Sequence, residues 1–310
     1  MQQTTFIINP VSGFGKTKRK LKEIVKEIQE IDPKAKVLLT HHRMHAIALT
    51  KDAIIRGADR VVAVGGDGTL NEVVNGYFAN DGTPHNPKAS IAVVPSGLGS
   101  DFYRCIGNGR DLKDAIHFAL KGEAKPTDVG QVTAQDDHGA EITRYFINIS
   151  SLGLSGLASA MIKNMPKKLP PSITYFIAAM RAIGQFKPTT ILLTEGSKQQ
   201  RIEDCSLVSF ANGQFFGSGM KIAPGATLDD GLFNVLTAQN LTLSFFMLNA
   251  HRLYQGTHLD LDNINEWKKS HCLVETLSSD PVYIECDGEI FAHLPAEFSI
   301  KPKALLLVRA

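Results

Sequence analysis

The residues best suited to chemistry lie in the run Val61-Val62-Ala63-Val64-Gly65-Gly66-Asp67-Gly68-Thr69-Leu70-Asn71-Glu72. Four apolar residues lead straight into two glycines, an acid and a third glycine. This pattern predicts a buried strand, a tight turn and the start of a helix. Glycines let backbone N–H groups approach a ligand with no Cβ in the way. The first N–H groups of a helix, with the positive end of its dipole, suit phosphate. Asp67 adds a carboxylate where a hard cation or a hydroxyl would need one.

Three further stretches carry candidate groups. In Asn9-Pro10-Val11-Ser12-Gly13-Phe14-Gly15-Lys16-Thr17 the ending resembles a phosphate-binding P-loop. Its leading glycine would fall at Pro10, which has no N–H to give. A looser phosphate contact from Ser12, Gly13 and Lys16 is the reading that remains. Lys221 to Leu232 is rich in turn residues and holds Asp229-Asp230-Gly231. It suits either oxygen ligation of Mg²⁺ or an ordinary β-turn, and the local residues leave both open. In Ile284-Glu285-Cys286-Asp287-Gly288-Glu289 the Asp-Gly pair is first a hairpin turn signal. Asp287 and Glu289 also supply carboxylates fit for a general base. His41, His42 and His45 lack the partners expected of a metal site.

The elements that must position these groups alternate at first. Phe6-Ile7-Ile8 predicts a strand, and Leu21, Ile24, Val25, Ile28 and Ile31 fall on one helical face. Val37 to Thr40 predicts a second strand and His45 to Ile55 a second helix. The run at Val61 follows with its own helix. Ile91 to Val94 predicts a further strand, then a loop through Asp101 and a helix from Asp111 to Leu120. This alternation predicts an α/β domain with a mostly parallel sheet covered on both faces. After Pro126 strands dominate: Val129 to Thr133, Arg144 to Ile149, Thr189 to Thr194, Cys205 to Ala211, Leu232 to Thr237, Cys272 to Thr276, Val282 to Cys286, Glu297 to Ile300 and Ala304 to Val308. Helices are expected over Leu152 to Ile162 and Ile173 to Ile183. The expectation is an α/β nucleotide-binding domain over 1–127 and a C-terminal β-rich, antiparallel β-sandwich-like domain over 128–301. A substrate cleft is expected between the two.

Bulk properties exclude several classes. Hydrophobic residues at 43% and charged residues at 21% of the 310 rule out a disordered chain. A formal net charge of +2 gives no reason to expect nucleic acid as a partner. Scattered Cys105, Cys205, Cys272 and Cys286 suggest reduced thiols and a cytoplasmic setting. Met1 to Thr5 lacks a basic region, so no secretory signal is expected. The uncharged run from Gly231 to His251 is broken by Asn234, Gln239 and Asn240, so no transmembrane segment is expected. The apolar helix around Ile173 to Met180, flanked by Lys167, Lys168 and Arg181, suits core packing or contact with a membrane surface. Exposed edge strands in the β-rich part make a homodimer conceivable.

Together these motifs resemble the diacylglycerol kinase catalytic family, which includes bacterial lipid kinases and sphingosine kinases. Asn9-Pro10-x-Ser12-Gly13 is similar to its first loop, and Thr40 with His45-Ala46 to its second. Gly65 to Glu72 resembles its most specific motif. Gly217, Gly219-Met220, Pro224, Ala226 and Asp229-Asp230-Gly231 resemble its central segment, and Asp287-Gly288-Glu289 its last. GGDG alone also occurs in NAD kinases and phosphofructokinases; five motifs in order are far more specific.

The resemblance implies ATP- and Mg²⁺-dependent phosphorylation of a lipid hydroxyl, diacylglycerol or a related lipid, at a membrane surface. It also implies that the last strand, 302–310, returns to the first domain. Asn9, Ser12, Gly13, Thr40, Gly65, Gly66, Asp67, Gly68, Thr69, Leu70, Asn71, Leu98 and Asp101 would bind ATP. Asp67 would also organise Mg²⁺ near the phosphates. The Asp230 carboxylate with the carbonyls of Thr227 and Leu232 would hold a structural Mg²⁺. Asp287 and Glu289 would sit at the acceptor hydroxyl, with Glu289 the usual base.

The family's Pro-x-Gly-Thr-x-Asn-Asp loop reads here Pro95-Ser96-Gly97-Leu98-Gly99-Ser100-Asp101. Loss of one hydroxyl contact would cost about 1 kcal/mol of binding, and Leu98 would narrow the nucleotide pocket. The alternative function is therefore a non-catalytic or weakly active lipid- or nucleotide-binding regulatory protein on the same scaffold. A soluble-substrate kinase related to NAD kinases fits the C-terminal motifs less well.

Overall fold

The computed structural model describes residues 3–96, 100–107, 111–136, 138–163, 165 and 170–310. The chain divides into two compact units, Met1–Thr127 with Lys303–Ala310, and Asp128–Pro302.

In the first unit strands and helices alternate: β1 (Thr4–Ile8), α1 (Lys16–Ile31), β2 (Lys36–Leu39), α2 (His45–Ile55), β3 (Arg60–Gly65), α3 (Asp67–Tyr77), β4 (Ser90–Pro95), α4 (Asp101–Ile106) and α5 (Leu112–Lys121). β1 pairs in parallel with β2 and β3, and β3 with β4. The C-terminal residues add a further parallel strand, with Leu306 opposite Ser90 and Leu307 opposite Ile91. Alternate residues of a strand face opposite sides. Phe6, Ile8, Val62, Val64, Ala92 and Val94 accordingly share one buried cluster with Ile24 and Ile28 of α1 and Ile116 and Ala119 of α5. α2 and α3 pack against each other and against β3. Arg60 is buried at the start of β3 and closes α5. Its Nη1 donates to the carbonyls of Ala119 and Leu120 at 2.9 and 2.7 Å, two acceptors a helix end leaves open.

The second unit is antiparallel. β5 (Ala124–Gln135) and β6 (Glu141–Phe146) form the hairpin around Asp136. Next come β7 (Ile149–Gly153), α6 (Leu154–Lys163), α7 (Pro171–Gln185), β8 (Thr189–Glu195), β9 (Lys198–Ala211), β10 (Phe233–Gln239) and α8 (Leu243–Gln255). The last elements are β11 (Ile264–Lys269), β12 (His271–Thr276), β13 (Tyr283–Cys286), β14 (Glu289–His293) and β15 (Ala296–Val308). β9 pairs with β7, β8 and β10, and β12 links β8 to β15. The core is aromatic: Phe210 stacks on Phe298 with centroids 4.0 Å apart, and Phe146 on Phe233 at 5.5 Å.

Several boundaries differ from the sequence expectation. Arg144 to Ile149 is not one strand, because the connection at Ile147 and Asn148 turns its N–H groups toward Asp287. Glu297–Ile300 and Ala304–Val308 are parts of one long strand, β15. Leu152 belongs to β7 rather than to the helix that follows. α4 occupies the end of the expected loop, and β11 lies where no strand was expected. No described helix is long and apolar enough to cross a membrane.

Candidate functional site

In the first unit three loops meet beyond the carboxyl ends of parallel strands, where open α/β sheets bind ligands. The Asn9 amide donates to Val64 O at 3.0 Å, and the Ser96 amide to Gly65 O at 2.8 Å. Asn9 Nδ2 donates to Thr69 Oγ1 at 3.0 Å, fastening the first loop to the glycine turn. Ser12 Oγ donates to Asn9 O at 2.8 Å and lies 2.6 Å from Thr17 Oγ1. Thr17 Oγ1 donates in turn to Ser96 O at 3.0 Å. The threonine of the P-loop-like ending is thus a buried knot between loops. Gly13 must be glycine: its φ is +59°, and a Cβ there would stand 2.9 Å from Ser96 O. Thr40 ends the run after β2, its amide donating to Ile8 O at 2.9 Å.

The glycine turn is sharper in the structure than in the sequence. Gly66 is the N-cap of α3. The amides of Thr69 and Leu70 turn back to Gly66 O at 3.0 and 3.2 Å. Leu70 and Asn71 are buried, so they shape the turn from beneath. The N–H groups of Asp67 and Gly68, at the first helical positions, have no intrahelical acceptor by geometry. A Cβ on Gly68 would meet no described atom within 4 Å, so this face is open.

Asp67 points to another helix. Its Oδ2 accepts the Asp101 amide at 2.9 Å and its Oδ1 the Phe102 amide at 3.3 Å, capping α4. Burial pushes its carboxyl above the usual range, against the pull of those two amides and of Arg104. Arg104 Nε also lies 3.5 Å from Asp101 Oδ1. Glu72, to which no role was assigned from sequence, caps α2 by accepting the amides of Met44 and Ala46 at 2.8 and 3.0 Å. One helix therefore carries carboxylates that hold the starts of two others. Ser100 is the N-cap of α4 at φ +43°, and its buried hydroxyl finds no partner among the described residues. Leu98 lies outside the described residues.

In the second unit Asp287 and Gly288, at φ +49° and +87°, turn β13 into β14. Both angles are those of a two-residue hairpin turn, and the second favours glycine. Three backbone donors converge on the Asp287 carboxylate: the amide of Ile147 at 3.1 Å, and those of Asn148 and Ile149 at 3.0 Å each. These three bonds make the carboxylate the anchor of the loop at Ile147 to Ile149. Glu289, half-buried at the first position of β14, is the other carboxylate that the sequence predicted. A third was missed. Glu285 is 4% exposed, bonded to Ser151 Oγ and to the Gly288 amide, the latter at 2.6 Å. Burial pushes its carboxyl up to about 7, and the charges of Asp287 and Glu289 act in the same sense. Only its short spacing from Asp287 and Glu289 signalled it.

The proposed cation site is a turn in the same unit. Asp230 Oδ1 accepts the Leu232 amide at 3.1 Å. Its Oδ2 lies 2.6 Å from Lys268 Nζ on β11. Burial opposes its charge, but Lys268, Thr227 and the Leu232 amide more than offset this, so its carboxyl lies below the usual range. Buried Asp128 accepts the Gly231 amide at 2.7 Å. The Asp230 carboxylate is an oxygen donor of the kind a hard cation takes, and it is already paired with the Lys268 ammonium. No cluster of three or more His, Cys, Asp or Glu suited to a metal occurs among the described residues.

Comparisons with known proteins bear on the family and the fold. The diacylglycerol kinase catalytic domain matches residues 3–132, and the YegS C-terminal NAD kinase beta sandwich-like domain matches residues 148–309. A diacylglycerol kinase of Bacillus subtilis (strain 168) is 29% identical over 303 residues, spanning 96% of this chain and 93% of its own. A diacylglycerol kinase of Staphylococcus aureus (strain bovine RF122 / ET3-1) is 25% identical, spanning 96% of this chain and 89% of its own. In fold, a diacylglycerol kinase from Bacillus anthracis str. Sterne superposes with a TM-score of 0.72 at 19% identity, covering 100% of this chain and 97% of that one. Yeast NADH kinase, solved with NADH, is more distant, with a TM-score of 0.54 at 14% identity over 99% of this chain and 82% of that one.

Proposed function

The chain belongs to the diacylglycerol kinase catalytic family, and on that premise we propose that it transfers the γ-phosphate of ATP to a hydroxyl of diacylglycerol or a related lipid, with Mg²⁺. The observation that carries this reading is the glycine turn at the start of α3, which leaves the N–H groups of Asp67 and Gly68 open beside the loop that Asn9 fastens to Thr69.

Phosphoryl transfer depends on positioning and charge compensation more than on covalent chemistry. In our reading the amides at the start of α3 hold phosphate oxygens. Asn9, Ser12 and Thr17 fix the loop opposite. Asp67 fixes the start of α4, and with it Asp101. Glu289 takes the proton of the attacking lipid hydroxyl, while Asp287 positions the turn that carries it. Bound Mg²⁺ supplies charge neutralisation. The outer lone pairs of Asp67 suit such an ion near the phosphates, while the Asp230 carboxylate with the carbonyls of Thr227 and Leu232 would hold a separate, structural one.

We also assign a membrane contact. α8 exposes Leu243, Met247, Leu248 and Tyr254 and carries no acidic residue, and Ile173 of α7 is exposed as well. An apolar helical face without acids suits an interface with anionic lipid. Co-sedimentation with vesicles of mixed anionic and neutral lipid tests this: Leu248→Asp should weaken binding, and wild-type binding to no vesicle would reject it.

The reaction is tested with radiolabelled ATP, Mg²⁺ and a panel of lipids in mixed micelles. Labelled lipid phosphate supports the proposal. Its absence with folded protein would favour the regulatory alternative.

A further inference from the structure

We propose that Glu285 is a positioning residue for phosphoryl transfer: with Ser151 it fixes the Asp287-Gly288 tip, and so the direction in which Glu289 leaves the turn. This rests on the reading of Glu289 as the base.

A hairpin tip with Asp-Gly at left-handed angles needs no buried carboxyl to form. Glu285 nonetheless sits on β13 between Ile284 and Cys286, each at most 1% exposed. Such a position ordinarily takes a β-branched or aromatic residue, and a carboxyl there is costly unless its oxygens are bonded. Both oxygens are bonded. One meets Ser151 Oγ on β7, the residue directly across the β13–β7 ladder. The other accepts the Gly288 amide at 2.6 Å, across the turn from its own strand. The β13–β14 ladder shifts register between Ile284 and Glu285, so the tip does not follow from regular pairing alone. Glu285 holds the tip from within, and Asp287 ties it to Ile147, Asn148 and Ile149. Glu289 is the residue that emerges from this doubly fixed tip. A local departure from the preferred core residue, with no gain in packing, is what a functional site shows.

The carboxyl, pushed up to about 7, is suited to bonding in its neutral form. Glutamine keeps both contacts without the charge: its carbonyl accepts from the Gly288 amide, and its NH₂ donates to Ser151 Oγ, reversing the bond that Ser151 Oγ donates to the carboxylate. Alanine removes both bonds.

The experiment compares wild type, Glu285→Gln, Glu285→Ala and Ser151→Ala in the ATP–diacylglycerol micelle assay, with amide hydrogen exchange measured across residues 283–291. Glu285→Ala should lower kcat on the order of 10- to 100-fold, with KM for ATP unchanged and faster exchange at Gly288. Glu285→Gln should restore kcat to within about threefold of wild type and keep Gly288 protected. If Glu285→Gln is as impaired as Glu285→Ala while folded, the charge itself is required and positioning is wrong. Wild-type turnover and protection in Glu285→Ala would also overturn the proposal. Should Glu285→Ala fail to fold, Ser151→Ala carries the same test with one bond removed. An inactive wild type would refute the assigned reaction, and the exchange comparison would still decide whether Glu285 fixes the tip.

Discussion

The amide of Asn148 donates to the carboxylate of Asp287 at 3.0 Å, across 139 residues of chain. With Ile147 and Ile149 it makes Asp287 the anchor of the β6–β7 connection. Asp287→Ala would leave three amides without their acceptor. It should destabilise the protein by about 2 kcal/mol in urea unfolding. Glu289→Ala should leave stability within about 0.5 kcal/mol and remove turnover. Equal stability of the two variants would contradict this division of roles.

Asp67 caps α4 through the amides of Asp101 and Phe102. Asp67→Ala should therefore lower stability by about 1 kcal/mol as well as turnover. Asp67→Asn keeps one cap acceptor and should recover most of the stability but not the activity. A fully stable Asp67→Ala would show that the cap carries no weight.

The readable parts were local. Gly65 to Thr69 announced a strand, a turn and a helix start, and Asp287-Gly288 announced a hairpin, because each depends on glycine at a forced backbone angle. The alternation of strands and helices before Pro126 gave the parallel sheet for the same reason: period and punctuation are local signals. What the carboxylates do was not legible. Asp67, Glu72 and Asp287 satisfy amides 34–35, 26–28 and 138–140 residues away, and only the fold brings those donors near. Glu285 looked like an ordinary strand residue because its burial arises from β7 packing beside it. Lys268 was silent because β11 itself was not recognised.

The pH dependence of stability should carry the mark of Glu285. Burial pushes its folded carboxyl up to about 7, from an ordinary value of 4.5. Below 4.5 both folded and unfolded chains hold this proton, and above 7 neither does. Between the two the folded chain holds it longer, so the contribution of Glu285 to stability falls as pH rises through this window. Urea unfolding from pH 4.5 to 7.5 should show that slope in wild type and a smaller one in Glu285→Gln. Identical slopes would place the titration elsewhere.

Lys268 lies 2.6 Å from Asp230 and neutralises it. Lys268→Met should increase the rise in melting temperature that Mg²⁺ produces, because the carboxylate then lacks its built-in counter-ion. Asp230→Asn should diminish that rise. The same Mg²⁺ response in wild type and both variants would show that the turn does not bind the ion.

The central claim is tested most directly by phosphate transfer itself. Wild-type protein with γ-labelled ATP, Mg²⁺ and diacylglycerol in mixed micelles should yield labelled lipid phosphate, and folded Glu289→Ala should yield none. No labelled lipid from folded wild type, or equal labelling by Glu289→Ala, would contradict the account.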